Sequence, residues 1–409
     1  MDKTESNKSV DKEEEYSKVD DKEYNFFLDS SLPYYSVILA YLMFYIGIYF
    51  RNQFIPVVFV YVILPLVDFL IPVDVLNPSK EKATKLKKQV HFKFPLYFAV
   101  AIEIFTYFYG IYHLLDNNYN ILYKATCIFV LATMQGVSIN YSHELMHKLN
   151  YFDNCLGAFL LIKNFYIHWF IEHNYGHHTH VATPLDPASA VKGQTVYEFI
   201  PKSLIGQFFS SLKIETEMVK ENNRSIFTHR IYLSVLTYIV TLYLFYIFLG
   251  FYEAIIAFII GFSGPLYLEV INYVEHYGLR RKKLSDGNYE PVSIHHSWNT
   301  PHRITNYMLF KLQRHSDHHA NALKPYQILC SYDESPNLPN GYAFCILLAL
   351  FPSNWFDIID PLVDDYSKNN RLSKSSIELA DKKSKDFNFK AGLSISSLII
   401  LQILVNNIF

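Results

Sequence analysis

Six stretches of the chain approach the length of about twenty mainly apolar residues that a helix needs to cross the hydrocarbon core of a bilayer. They lie at 32–50, 54–71, 94–115, 121–141, 231–249 and 252–274. Short polar turns join them in pairs: Arg51, Asn52 and Gln53 join the first two, 116–120 the next two, and Gly250 the last two. The pattern predicts an all-α integral membrane protein with six transmembrane helices arranged as three hairpins. The longer polar segments all fall on the other side of the membrane and form a cap from 142–230 and 276–365.

Charge orients this arrangement. Lys85, Lys87, Lys88, Arg280, Arg281, Lys282 and Lys283 crowd the membrane ends on the cap side, and the positive-inside tendency places that side in the cytoplasm with both termini. Residues 1–31 read as an acidic solvated tail, since no basic start leads into a short apolar core as in a signal peptide. A membrane domain follows over 32–365. Residues 366–409 are a polar linker and an apolar segment, of which 391–409 is either a seventh span or an interfacial helix. The expected location is the endoplasmic reticulum of a eukaryote or the inner membrane of a bacterium.

Composition adds exclusions. A net charge of -2 lacks the basic field that nucleic-acid binding requires. The four cysteines, Cys127, Cys155, Cys330 and Cys345, include no Cys-x-x-Cys pair, which argues against a disulfide scaffold, a zinc ribbon or a fused rubredoxin.

The chemistry lies in the histidines. His143 and His147 continue from the fourth span at a spacing of four, which places both on one helical face. His173, His177 and His178 form a second group, and His315, His318 and His319 a third, while His276 ends the sixth span. Any one group is unremarkable as a polar helix end. Three groups and a single histidine at the same membrane face point to metal. Nine imidazoles exceed what one ion accepts but suit two ions with four or five ligands each, leaving positions for oxygen. Imidazole ligation of this kind permits iron, copper, zinc or nickel.

At these residues the chain resembles the membrane alkane 1-monooxygenases, relatives of the fatty-acid desaturases and hydroxylases. The likeness rests on His143 to Lys148, Glu172 to His178, Asp186-Pro187-Ala188, Asn272 to Leu279, His295 to Asn299, Leu312 to Ala320, and Gly341-Tyr342. It implies a non-haem di-iron centre with His143, His147, His173, His177, His178, His276, His315, His318 and His319 as ligands. It also implies O2 as co-substrate and hydroxylation of a terminal methyl group. His180 lies outside the family's ligand pattern.

Around such a centre, Glu144, Glu172, Glu275 and Asp317 are candidates for orienting the ligand rings, or are ordinary helix-end charges. Asp68 in the second span is read as bonding a neighbouring helix, with lining of a substrate route as the other option. His295, His296 and Trp298 either close the site or form a structural turn. The substrate is expected to be an alkyl chain arriving from the bilayer. With neither Cys-x-x-Cys nor a Gly-x-Gly-x-x-Gly fingerprint in the chain, two electrons must come from a separate carrier of rubredoxin or cytochrome b5 type. Arg280 to Lys283 offer that carrier a docking patch, besides anchoring the span. The competing readings are a fatty-acyl desaturase or lipid hydroxylase, and a membrane metal-binding or transport protein.

Overall fold

The computed structural model describes residues 24–116, 118–148 and 150–408; most of the acidic tail expected over 1–31 lies outside them. Among the described residues the architecture is helical. In chain order the elements that position the site are α1 (Leu32–Tyr49), α2 (Phe54–Leu70), α3 (Val90–Leu114), α4 (Ile121–Met146), α5 (Tyr151–Lys163) and α6 (Val196–Glu221). They are followed by α7 (Arg230–Leu249), α8 (Phe251–His276), α9 (His315–Ala320), α10 (Tyr342–Ala349), α11 (Pro352–Asn369) and α12 (Lys374–Ile408).

Among the described residues six helices are long and apolar enough to cross a membrane: α1, α3, α4, α7, α8 and α12. Five of the expected spans are therefore present, and the sixth place is taken by α12 in exchange for 54–71. Local chemistry explains the exchange. The helix α2 ends at Leu70 because Ile71, which precedes Pro72, is extended at ψ 137°. Its 17 residues reach only about 26 Å, short of a hydrocarbon core of about 30 Å. The helix α12 is continuous from Lys374, so the stretch before Ala391 is helix.

One end of α12 lies at the cap, where Lys383 pairs with Asp357 of α11 at 2.6 Å. At the opposite end, Asn406 donates to the Arg51 carbonyl at 2.7 Å and accepts from Asn120 at 2.9 Å. That end carries the turns between α1 and α2 and between α3 and α4. Side-chain caps fix several helix starts: Asn120 accepts from Tyr123 N–H at the head of α4, and Thr195 with Glu198 forms a capping box on α6.

The helices α4 and α8 run side by side through the centre, and glycines set the close approaches there. A Cβ on Gly136 of α4 would lie 2.1 Å from the Tyr267 ring of α8, and one on Gly261 of α8 would lie 2.3 Å from the Lys163 carbonyl at the end of α5. Around them, α1, α3 and α4 share one apolar core, while α8, α10 and α11 share another. Asp68 accepts from Ile304 N–H at 3.1 Å and from the Thr305 hydroxyl, so it joins α2 to the short helix Arg303–Met308.

A buried ion pair locks α5 into this frame. Lys163 at its end meets Glu103 of α3 at 2.8 Å, with the side chains 3% and 1% exposed. Gln135 of α4 also accepts from Lys163, and the ammonium sits 4.6 Å over the Tyr107 ring. Removing one partner of such a pair strands a buried charge, at a cost of about 3–5 kcal/mol. Lys163→Met should therefore lower the unfolding midpoint of the detergent-solubilised protein, and adding Glu103→Gln should recover most of the loss. A double variant no more stable than the single one would assign the loss to packing instead of charge.

Candidate metal centre

Two helix ends and two short helical segments deliver the histidines to one place. His143 lies in the last turn of α4 and His147 caps it; His276 is the last residue of α8; His315, His318 and His319 lie on α9. The group from 172 to 178 contains a π-turn over Glu172–His177, which widens the helix so that residues five apart share a face. Spacing in an α-helix pairs His173 with His177. The π-turn instead sets His173 beside His178 and sends His177 the other way.

The nine side chains divide into five and four. His143, His147, His173, His178 and His318 bring ring nitrogens within 4.8 Å of one another, and so do His177, His276, His315 and His319. In the first cluster the Nε2 atoms form a closed ring: His143 to His147 3.1 Å, His147 to His173 3.2 Å, His173 to His178 3.1 Å, His178 to His318 3.2 Å, and His318 to His143 2.9 Å. In a neutral imidazole each Nε2 either donates or accepts. Around a ring of five these roles cannot alternate, so at least one contact sets like against like unless a cation sits among the nitrogens.

The spacing also fits an ion. Imidazoles bound at about 2.1 Å and at right angles stand about 3.0 Å apart. In the second cluster His315 and His319 approach to 3.0 Å, and the Nε2 atoms of His177 and His276 are buried without a hydrogen-bond partner. Burial holds His147 down to about 4. Burial and the neighbouring imidazoles keep His173, His178, His315, His318 and His319 well below the usual range. These rings are neutral at ordinary pH, the state in which imidazole binds metal.

A model of the fatty acid desaturase family matches residues 120–346. The chain is 34% identical over 319 residues to alkane 1-monooxygenase of Acinetobacter baylyi, covering 78% of each chain. It is 38% identical over 320 residues to alkane 1-monooxygenase 1 of Pseudomonas aeruginosa, covering 76% of this chain and 82% of that one. The hydroxylase component of xylene/toluene monooxygenase from Pseudomonas putida is 29% identical over 254 residues, 58% of this chain and 64% of that one. The chain belongs to the alkane 1-monooxygenase family. Its two histidine clusters lie at one end of the helix bundle.

The acids near this family's histidine motifs have different partners here. Glu144 pairs with Lys148 at 3.6 Å. Asp317 accepts from Cys330 N–H at 2.6 Å and pairs with Lys324 at 2.7 Å, so it fastens the loop after α9. Glu172 is buried, and burial raises it to about 7. Glu275 Oε2 lies 3.1 Å from His315 Nε2, on the side of the ring that faces its cluster.

The carboxylate that orients His177 is Asp186, which accepts from His177 Nδ1 at 3.0 Å and from the Ser189 hydroxyl at 2.5 Å. Burial pulls His177 down, but Asp186 outweighs it and raises the ring above its usual range. Asp186 therefore favours positive charge on an imidazole whose Nε2 faces the cluster. Its place in Asp-Pro-Ala, nine residues beyond His177, gives no helical spacing by which sequence could pair them.

The His295 to Trp298 turn supports α8 from the cap. The His296 carbonyl and the Ser297 hydroxyl each stand 3.4 Å from His276 Nδ1, and the Trp298 indole donates to the Tyr277 carbonyl at 2.8 Å. His180 belongs to neither cluster. Loss of a partner such as Asp186 costs about 10–100-fold in metal affinity. Asp186→Asn should weaken metal binding by that factor in a titration of the metal-stripped protein while the helical circular-dichroism signal is kept; an unchanged titration would remove Asp186 from this role.

Proposed function

We propose that this protein hydroxylates the terminal methyl group of an alkyl chain, using O2, two electrons and a pair of iron ions held by the nine histidines. The observation that carries this reading is an apolar cavity that adjoins a small pocket at the clusters. Its walls come from α1, α2, α4, α8 and α10, with Val60, Leu64, Val130, Met134 and Ile346 among them. Gly136, Asn140, Ile271 and Leu312 are shared with a smaller pocket that touches His143, His173, His315 and Glu275. A bilayer-derived chain lying in this cavity presents its end to the histidines, which is the geometry terminal attack requires.

The donor set fits two ions, with His143, His147, His173, His178 and His318 holding one and His177, His276, His315 and His319 the other. Bound there, such a pair supplies the reductive activation of O2. The protein's part is to keep His147, His173, His178, His315, His318 and His319 neutral by burial, to hold His177 by Asp186, and to surround the reacting carbon with Leu312, Ile271 and Trp169. Iron is favoured over other imidazole-binding metals by membership of the alkane 1-monooxygenase family.

The match to the desaturase family model supports a second reading, removal of hydrogen from the middle of an acyl chain. Product analysis separates the two. With a linear alkane the expected product is a primary alcohol, and an internal double bond formed from an acyl substrate would overturn the hydroxylase reading.

Electrons are proposed to arrive from a separate carrier of rubredoxin or cytochrome b5 type on the cytoplasmic face. Of the four basic residues after Leu279, Arg281 is engaged by the Thr179 and Glu290 carbonyls at 2.8 and 2.6 Å, whereas Arg280, Lys282 and Lys283 are exposed. The docking role therefore rests on these three.

Two measurements test the centre and its side of the membrane. Purified protein should carry two irons per chain. His318→Ala should lose the iron of the five-histidine cluster first, and His315→Ala or His319→Ala that of the four; retention of both irons in all three variants would sink the assignment. Accessibility labelling should find Lys87 and Lys282 on one side of the membrane, and labelling from opposite sides would break the topology.

A further inference from the structure

Beside the centre, and outside its ligand set, stand two oxidisable side chains in line. The Trp169 indole stacks on the His173 imidazole at 4.2 Å between ring centroids and 25° between planes. Tyr166 lies behind Trp169 at 6.4 Å and 20°. Both are buried in a small apolar cluster with Ile139, Leu161 and Leu268. These separations are short compared with those over which electrons tunnel through protein.

The far end of the line carries a built proton acceptor. The Tyr166 hydroxyl donates to Glu269 Oε1 at 3.2 Å. Glu269 lies on α8, fully buried, with no cation within ion-pair distance among the described residues. Its other hydrogen bonds come from neutral groups: Gln207 Nε2 at 2.8 Å, Asn272 Nδ2 at 3.3 Å and the Ser203 hydroxyl. A buried carboxyl in a membrane helix, held by four neutral donors and no cation, is costly and marks a functional group by default. Burial and then the Glu269 carboxylate keep the phenol well above its usual range, so Tyr166 holds its proton until it is oxidised.

We propose that Trp169, Tyr166 and Glu269 form an oxidation-discharge line that protects the centre when O2 has reacted and no alkyl chain is in the cavity. The inference rests on the functional reading above. In the step, Tyr166 gives one electron through Trp169 and His173 to the oxidised metal centre. Its O–H bond breaks, the proton forms a bond to Glu269 Oε1, and a neutral tyrosyl radical remains. An electron from the carrier that serves the centre, with return of that proton, restores both groups. With substrate present, attack on the nearby C–H bond takes the oxidising equivalent first.

The test uses the iron-loaded enzyme in detergent, reduced, mixed with O2 without alkane, frozen and read by electron paramagnetic resonance. Wild type should show a tyrosyl radical whose signal narrows when the tyrosine rings are deuterated. Tyr166→Phe should lose that signal, keep its iron and hydroxylate alkane at saturation as wild type does, and inactivate sooner without alkane. Glu269→Gln retains the phenol but not the proton acceptor, and it should also lose the radical, which keeps the test open should Tyr166→Phe fail to load iron. Equal radical yield in the variant that loads iron, or no radical in a wild type that hydroxylates alkane, overturns the proposal. A wild type that hydroxylates no alkyl chain overturns the functional reading instead.

Discussion

The structure depends on bringing nine imidazoles to two adjacent points at one end of a helix bundle. Around the five-histidine ring and between His315 and His319 the ring nitrogens stand about 3 Å apart, a packing that a central cation favours. Much of the fold serves this demand. The helices α4 and α8 end in histidines of the two clusters, so their relative height fixes the site, and the bare faces of Gly136 and Gly261 let their surroundings close on them without a gap. The His296 carbonyl, the Trp298 indole and Asp186 then hold the ligand-bearing backbone and rings from outside.

What the sequence makes legible follows from how local each signal is. Apolar runs long enough to span are local, and five of the expected spans appear as helices; His143 and His147 at a spacing of four sit in one cluster because α4 is a regular α-helix there. Three other features depend on contacts distant in sequence or on irregular backbone. The π-turn over Glu172–His177 overrides the α-helical pairing of His173 with His177, and nothing in Glu-His-Asn-Tyr-Gly-His announces it. Asp186 reaches His177 through a loop with no period. The spanning length of α12 is masked in the sequence by polar residues on the face that meets α2 and α4, where Gln402 is fully buried and Asn406 bonds across to Arg51 and Asn120.

The channel and the centre share their walls. On α4, Gly136 and Asn140 line both the apolar cavity and the pocket beside His143; on α8, Ile271 does the same within two turns of His276. A second π-turn, over Phe59–Ile63 in α2, places Val60 and Tyr61 on the cavity wall, where Tyr61 meets Tyr267 across it at 3.1 Å. A chain's position along the cavity and the height of the ligands are thus set by the same two helices. Repacking that shifts α4 against α8 moves both together, which preserves the alignment of carbon and metal better than separate elements would.

Charge makes the two halves of the centre unequal. Neutral imidazoles leave the charge of a bound cation uncompensated, and in a buried site that charge seeks carboxylates. Both carboxylates in hydrogen-bonding range of ligand rings serve the four-histidine cluster: Asp186 through His177 and Glu275 beside His315. In the five-histidine cluster, Asp317, next to His318, is instead committed to Lys324 and the Cys330 amide. The four-histidine cluster therefore combines the fewer imidazoles with the two carboxyl groups, and the five-histidine cluster the more imidazoles with none in hydrogen-bonding range among the described residues.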